Sequence, residues 1–279
     1  MVNTVQKYAN NKMAPLVKSI LFIALFILLL IGSGLIRSYF PPAYNMLVYG
    51  LLGTGAGYLS VWTAMRIERQ TFSSIGMVWE KQTISRFLLG ILIGLLIFVL
   101  IMVVLLSFSP LMLTYKPLFF TLSTSFIYLP ILPLALMEEI GFRSYPQIKL
   151  NNAYGVWTSQ FVIAVFFGAY HVLNGWSVYA SFTGPFVWAF VFGLAALKYG
   201  GIAVPTGIHF ALNVLQNAFG FKGDNRGIFK LDYLPGTTKA MMNRAEHIGL
   251  LLQIIVFIVA LTGTTLYIKQ QKSKPSPSK

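Results

Sequence analysis

The chain has 279 residues, of which 56% are hydrophobic, 15% aromatic and only 10% charged, with a formal net charge of +14. A soluble domain carries about 25% charged residues, so this composition excludes a soluble enzyme, a disordered tail and a nucleic-acid-binding arm. With no cysteine there is no disulfide framework, thiolate nucleophile, cysteine-rich metal site or cysteine lipidation.

A membrane-crossing helix needs about 20 mostly apolar residues, and eight such stretches are read. They are roughly Leu16–Ile36, Tyr44–Ala64, Phe87–Phe108, Leu118–Gln147, Tyr154–Leu173, Val178–Leu197, Ile202–Phe219 and Ile248–Ile268. The first is too long for a signal-peptide core and is kept as an uncleaved span. Each is expected to be helical, because open strands leave backbone polar groups unpaired in lipid. The expected fold is therefore an all-α, polytopic integral membrane protein, one transmembrane domain over residues 1–268. Tyr44–Ala64 is rich in glycine, and Phe87–Phe108 has no ionisable residue and reads as scaffold. Lys222–His247 is a long polar connection, either a surface loop or a lid, and the basic tail Lys269–Lys279 is expected to be disordered.

Basic residues hold loops on the cytoplasmic side and meet anionic headgroups. With the N-terminus placed inside, the inside segments hold fourteen of the lysines and arginines and the outside segments seven. Both termini are expected to be cytoplasmic on that bias, although the connection before the last span carries five of the seven.

Ionisable groups at membrane depth are expensive, about 2.5–3.5 kcal/mol for a charge at a helix centre, and mark a site by default. Three places stand out. Glu138 and Glu139 are adjacent and so point about 100° apart on a helix. Glu139 and Arg143 are placed to pair at i,i+4, which leaves Glu138 to face something else. His171 lies four residues after Phe167, with Asn174 nearly on the same face. His209 and Asn213 share one face of a later span. Each alone is consistent with a solvated helix end or a structural hydrogen bond. If the fourth helix runs on to Gln147, Glu138, His171 and His209 lie about 14, 25 and 10 Å below one face, at about 1.5 Å per residue. Those depths allow one pocket opening to the cytoplasm.

Glu138-Glu139-x-x-x-Arg143, Phe167-x-x-x-His171 and His209-x-x-x-Asn213, in that order on three apolar helices, closely resemble the motifs of the CPBP family. These are the CaaX-processing and bacteriocin-processing intramembrane proteases, also called the ABI family. The resemblance covers roughly residues 118–219 and implies an eight-span peptidase with its site inside the bilayer on the cytoplasmic side. It makes Glu138 the catalytic acid, His171, His209 and Asn213 its partners, and Glu139 and Arg143 a supporting pair. The short chain and plain loops look more like the bacterial members, which implies a bacterial plasma membrane.

The chemistry is also read from the residues. Peptide hydrolysis needs an activated water and a stabilised oxyanion. Glu138, aided by His171, is expected to take the proton from water, and His209 and Asn213 to hydrogen-bond the oxyanion. Zinc held by Glu138, His171 and His209 is possible, but no HExxH motif is present. The reading taken has no cofactor. The expected partners are a peptide or membrane-protein substrate and the lipid bilayer, with no nucleic acid. Two rival readings are a non-catalytic scaffold or bacteriocin self-immunity protein of the same fold, and a transporter using Glu and His as a proton relay.

Overall fold

In the computed structural model, residues 13–116, 128–222 and 227–273 are described. The helices are α1 (Ala14–Arg37), α2 (Asn45–Glu68), α3 (Thr83–Phe108), α4 (Ile131–Arg143), α5 (Tyr145–Tyr154), α6 (Val156–Leu173), α7 (Val178–Thr183), α8 (Pro185–Tyr199), α9 (Ala203–Ala218) and α10 (Lys239–Ser273). The strands β1 (Leu111–Tyr115) and β2 (Phe229–Tyr233) pair antiparallel, Leu111 opposite Tyr233 and Tyr115 opposite Phe229. The chain is thus helical apart from this one strand pair among the described residues. Strand pairing was not expected in Lys222–His247; it satisfies the backbone polar groups of a segment beyond the helix ends.

Five stretches are long and apolar enough to cross a membrane: Ala14–Arg37, Thr83–Phe108, Val156–Leu173, Val178–Tyr199 and Lys239–Ser273. Leucines such as Leu21, Leu35, Leu96 and Leu100 lie exposed along them, as lipid-facing residues do. The other three expected spans take different forms. α2 has the length, but its apolar character is diluted by Gly50, Gly53 and Gly57, which face Leu134, Met137 and Ile140 of α4. The first part of Leu118–Gln147 falls in residues 117–127, outside the described residues. Its second part does not run through to Gln147. The helix ends at Arg143 and restarts at Tyr145 with Pro146 in the new first turn, where a proline's missing N–H is harmless. The seventh is the short helix α9, buried along most of its length. Pro185 likewise opens α8 after a break at Gly184, so Val178–Leu197 is two helices rather than one. Helix α10 begins nine residues before the expected Ile248 and carries on through Lys269 to Ser273.

The bundle has two distinct ends. At one, Glu68 on α2 accepts hydrogen bonds from Lys18 on α1 at 2.8 Å, and from Lys149 at 2.7 Å and the Tyr145 hydroxyl at 3.1 Å, both on α5. Gly76 packs on Gly200 at this end, and Tyr267 of α10 donates to the Leu197 carbonyl at 3.1 Å. Both ends of the described chain therefore lie here, and we call it the terminal end. At the other, the strand end, the Arg37 guanidinium sits 4.7 Å from the Tyr49 ring centre, and β1 and β2 follow α3 and α9.

Candidate active site

The helix that carries the third motif is set by glycines. α3 and α9 run side by side, with Gly90 against the Val204 carbonyl and Gly207 against the Phe87 carbonyl. A Cβ at either position would strike backbone. One turn on, Gly94 faces Ala211. This is small-residue packing of the kind that lets membrane helices approach closely, and it places the Phe87–Phe108 stretch as the support for His209.

One buried carboxylate joins the first and third motifs. Glu139, with a fully buried side chain, accepts from His209 Nδ1 through Oε1 at 2.8 Å. Its Oε2 faces Arg143 Nε at 3.4 Å, the expected i,i+4 pair. That approach is a charge contact, since none of the Arg143 nitrogens makes a hydrogen bond among the described residues. The guanidinium is held instead between aromatic faces, 4.1 Å from the Phe167 centroid and 5.4 Å from that of Phe192. Glu138 turns away from Glu139, and its Oε2 lies 3.6 Å from His209 Nε2. It keeps partial exposure, with 14% of its side-chain surface open.

Phe167 is the hub of the second motif. Its ring packs on His171 at 4.7 Å, on Phe142 at 5.1 Å and on His209 at 6.4 Å. His171 Nδ1 lies 2.8 Å from the Phe167 carbonyl. A carbonyl only accepts, so Nδ1 carries the proton and neutral His171 presents Nε2 as an acceptor. By the same reasoning His209 commits Nδ1 to the Glu139 carboxylate and keeps Nε2 for reacting groups. Asn213 sits one turn beyond His209, and its Oδ1 accepts from Lys222 Nζ at 3.1 Å. Lysine has no acceptor, so the Asn213 amide must present oxygen to it and keep its NH₂ for another partner. Asn174 serves as the C-cap of α6, its Nδ2 donating to the Tyr170 carbonyl at 2.8 Å.

Sequence reading did not find four contributors. Phe192 of α8 stacks on His209 at 4.7 Å with ring planes 11° apart. Tyr49 and Tyr170 interact with each other, and both lie within electrostatic reach of Glu138. One phenylalanine among 23 and two tyrosines among 14 carry no spacing that marks them. Lys222 could have been found as the first basic residue after the third motif.

The depth argument needs correction at one point: α4 ends at Arg143 and does not run on to Gln147. Glu139 through Gln147 are all buried, as is Gln160. Toward the strand end the groups become wet: His171 and Asn213 are half-buried, and Asn174 and Lys222 are exposed. The sequence estimate failed because it carried α4 on to Gln147 and measured all depths from that face.

Among the described residues no three His, Asp or Glu side chains are placed to hold a metal ion. His209 Nδ1 is engaged by Glu139 and His171 Nδ1 by a carbonyl, which leaves Nε2 of each as the ring nitrogen a zinc ion would take beside Glu138.

Residues 118–215 match the family described as type II CAAX prenyl endopeptidase Rce1-like. That stretch holds all three motifs, so the resemblance read from them is found again by an independent comparison, and the family is one of proteases. Comparison with curated proteins gives no match.

Proposed function

We propose that the chain is an intramembrane endopeptidase acting on membrane-associated, prenylated or precursor peptides. Glu138, aided by Nε2 of His171, takes a proton from a water that attacks the amide carbonyl. His209 Nε2 and the Asn213 NH₂ donate to the resulting oxyanion, and Glu138 returns its proton to the leaving amine. Donation from Nε2 requires doubly protonated His209, and Glu139 is placed to compensate that charge. The observation that carries the reading is the meeting of Glu138 with His209 Nε2, 3.6 Å apart on two different helices, with the second nitrogen of His209 tied behind it.

The reading is written without a metal. Glu138→Gln is expected to abolish cleavage, and Asn213→Ala to lower kcat by about 10²–10³. The test is comparative peptidomics of membranes that express the wild type or Glu138→Ala, in which a product present only with the wild type identifies activity and substrate together. Identical peptide profiles would favour a non-catalytic scaffold. Activity that survives chelation, with metal content measured on the same sample, checks the metal-free step.

A further inference from the structure

Arg37 ends α1 at the strand end with an exposed side chain. Among the described residues Glu68 pairs with Lys18 and Lys149, Glu80 with Arg86, Glu139 with Arg143 and Asp232 with Lys230, and no carboxylate pairs with Arg37. Its guanidinium is folded back over the half-buried Tyr49, 4.7 Å from the ring centre, rather than extended from the bundle as a headgroup anchor would be. Gly34, three residues earlier on α1, makes room for that ring: a Cβ there would lie 4.0 Å from Tyr49 Cε2. Tyr49 in turn meets Tyr170, and both lie within electrostatic reach of Glu138. Tyr170 packs on the ring of His171 at 5.3 Å. A file of side chains thus runs from Arg37 through Tyr49 and Tyr170 to Glu138 and His171. Stacking occupies the face of the Arg37 guanidinium and leaves its edge, the fork of N–H groups that fits a carboxylate with two parallel hydrogen bonds.

We infer that Arg37 holds the C-terminal carboxylate of the peptide that is cut at Glu138, so that the position of the cut is measured from a free chain end. This rests on the peptidase reading of the same site and narrows its substrates to peptides with an unblocked C-terminus. The 4.7 Å stack, one tyrosine ring and the side-chain contacts along the file put Arg37 on the order of 10–15 Å from the Glu138 carboxylate. An extended peptide advances about 3.3–3.6 Å per residue, which sets the scissile bond about three or four residues from the chain end. Arg37 and Tyr49 lie outside residues 118–215, so this part of the site is not carried by the three motifs.

The probe is a quenched fluorogenic peptide ending in a farnesylated cysteine and three further residues, made with a C-terminal carboxylate and with a C-terminal amide. The full chain is purified in a neutral detergent without added lipid. Wild type is expected to favour the acid over the amide by about tenfold in kcat/KM, with the difference in KM. Arg37→Gln should raise KM for the acid by the same factor and leave the amide unchanged, so that the amide reports a folded enzyme. Arg37→Lys should keep part of the preference, since lysine supplies the charge without the fork. Lys230→Gln, exposed on β2 at the same end, should change neither form. An equal loss in Lys230→Gln would make the effect a general basic field and overturn the inference. An acid preference that survives Arg37→Gln assigns Arg37 to the headgroups and overturns it, as does a wild type that cleaves both forms equally. Binding of both peptides to Glu138→Gln, with and without Arg37→Gln, is measured beside cleavage by fluorescence anisotropy. Acid-selective binding that needs Arg37, with neither form cleaved by the wild type, supports the carboxylate site and sinks the peptidase reading. Cleavage without acid-selective binding sinks the Arg37 assignment alone, and the absence of both sinks both.

Discussion

Glu139 holds two residues at once: Oε1 binds His209 Nδ1 at 2.8 Å and Oε2 faces Arg143 Nε at 3.4 Å, all with side chains at most 10% exposed. Motif one thereby positions motif three, and the charge of Arg143 is countered inside the bundle.

Removing only the acid, in Glu139→Leu, leaves a buried guanidinium uncompensated, which costs about 3–5 kcal/mol when one partner of a buried pair is lost. Replacing both, in Glu139→Leu with Arg143→Met, is expected to recover most of that stability. It is not expected to recover activity, because His209 has still lost its orienting acceptor. Thermal unfolding of the purified variants in detergent, measured beside peptide cleavage, checks both halves. A double variant with wild-type kcat would remove Glu139 from the positioning of His209.

Lys222 and Asn213 form a second such link. The turn after α9 is made by Gly220 at φ +77°, and Phe219 and Phe221 clamp it against Phe98 at 5.2 and 5.8 Å. Lys222 follows and donates to Asn213 Oδ1. Lys222→Met is expected to lower kcat about tenfold with little change in KM, and Lys222→Arg to retain most of it. In the Asn213→Ala background Lys222→Met should cost nothing further, since residues that act as a unit are non-additive. Losses that multiply would show that Lys222 works elsewhere.

Gly207→Ala tests the support beneath His209. Its Cβ would strike the Phe87 carbonyl and lie 2.9 Å from Ile91 N, so α3 and α9 must part. Overpacking of this kind costs about 1–3 kcal/mol, and a shift of α9 moves His209 with it. A drop in melting temperature together with a fall in kcat is expected. Ala211→Gly, which relieves the neighbouring contact, should restore part of both.

Glu68 supplies the pH dependence. It lies beyond the apolar part of α2, where burial raises its pKa but the hydrogen bonds of Lys149, Lys18 and Tyr145 outweigh this and hold the carboxyl below its ordinary value. A depressed folded-state pKa stabilises above the unfolded value, about 4.3 for glutamate, and that gain is lost as pH falls through the folded value. Glu68→Gln should therefore be less stable than wild type at neutral pH, by on the order of 1 kcal/mol. The gap should close below about pH 4. A constant gap between pH 7 and 3, by thermal unfolding, would contradict the charge network.

The three motifs, their order and the apolar stretches around them could be read from the sequence alone, because lipid leaves the backbone few options and makes each buried charge conspicuous. The i,i+4 relations of Glu139 with Arg143 and of His209 with Asn213 follow from helix geometry in the same way. Tertiary structure alone decided what crosses between helices: that Glu139 rather than Glu138 takes His209 Nδ1, that Phe192 stacks on that ring, and that Lys222 returns to Asn213. It also decided where the helix of the first motif ends, through the break at Ser144. Such contacts depend on the rotation and depth of one helix against another, which side-chain packing sets and a single periodic sequence does not record.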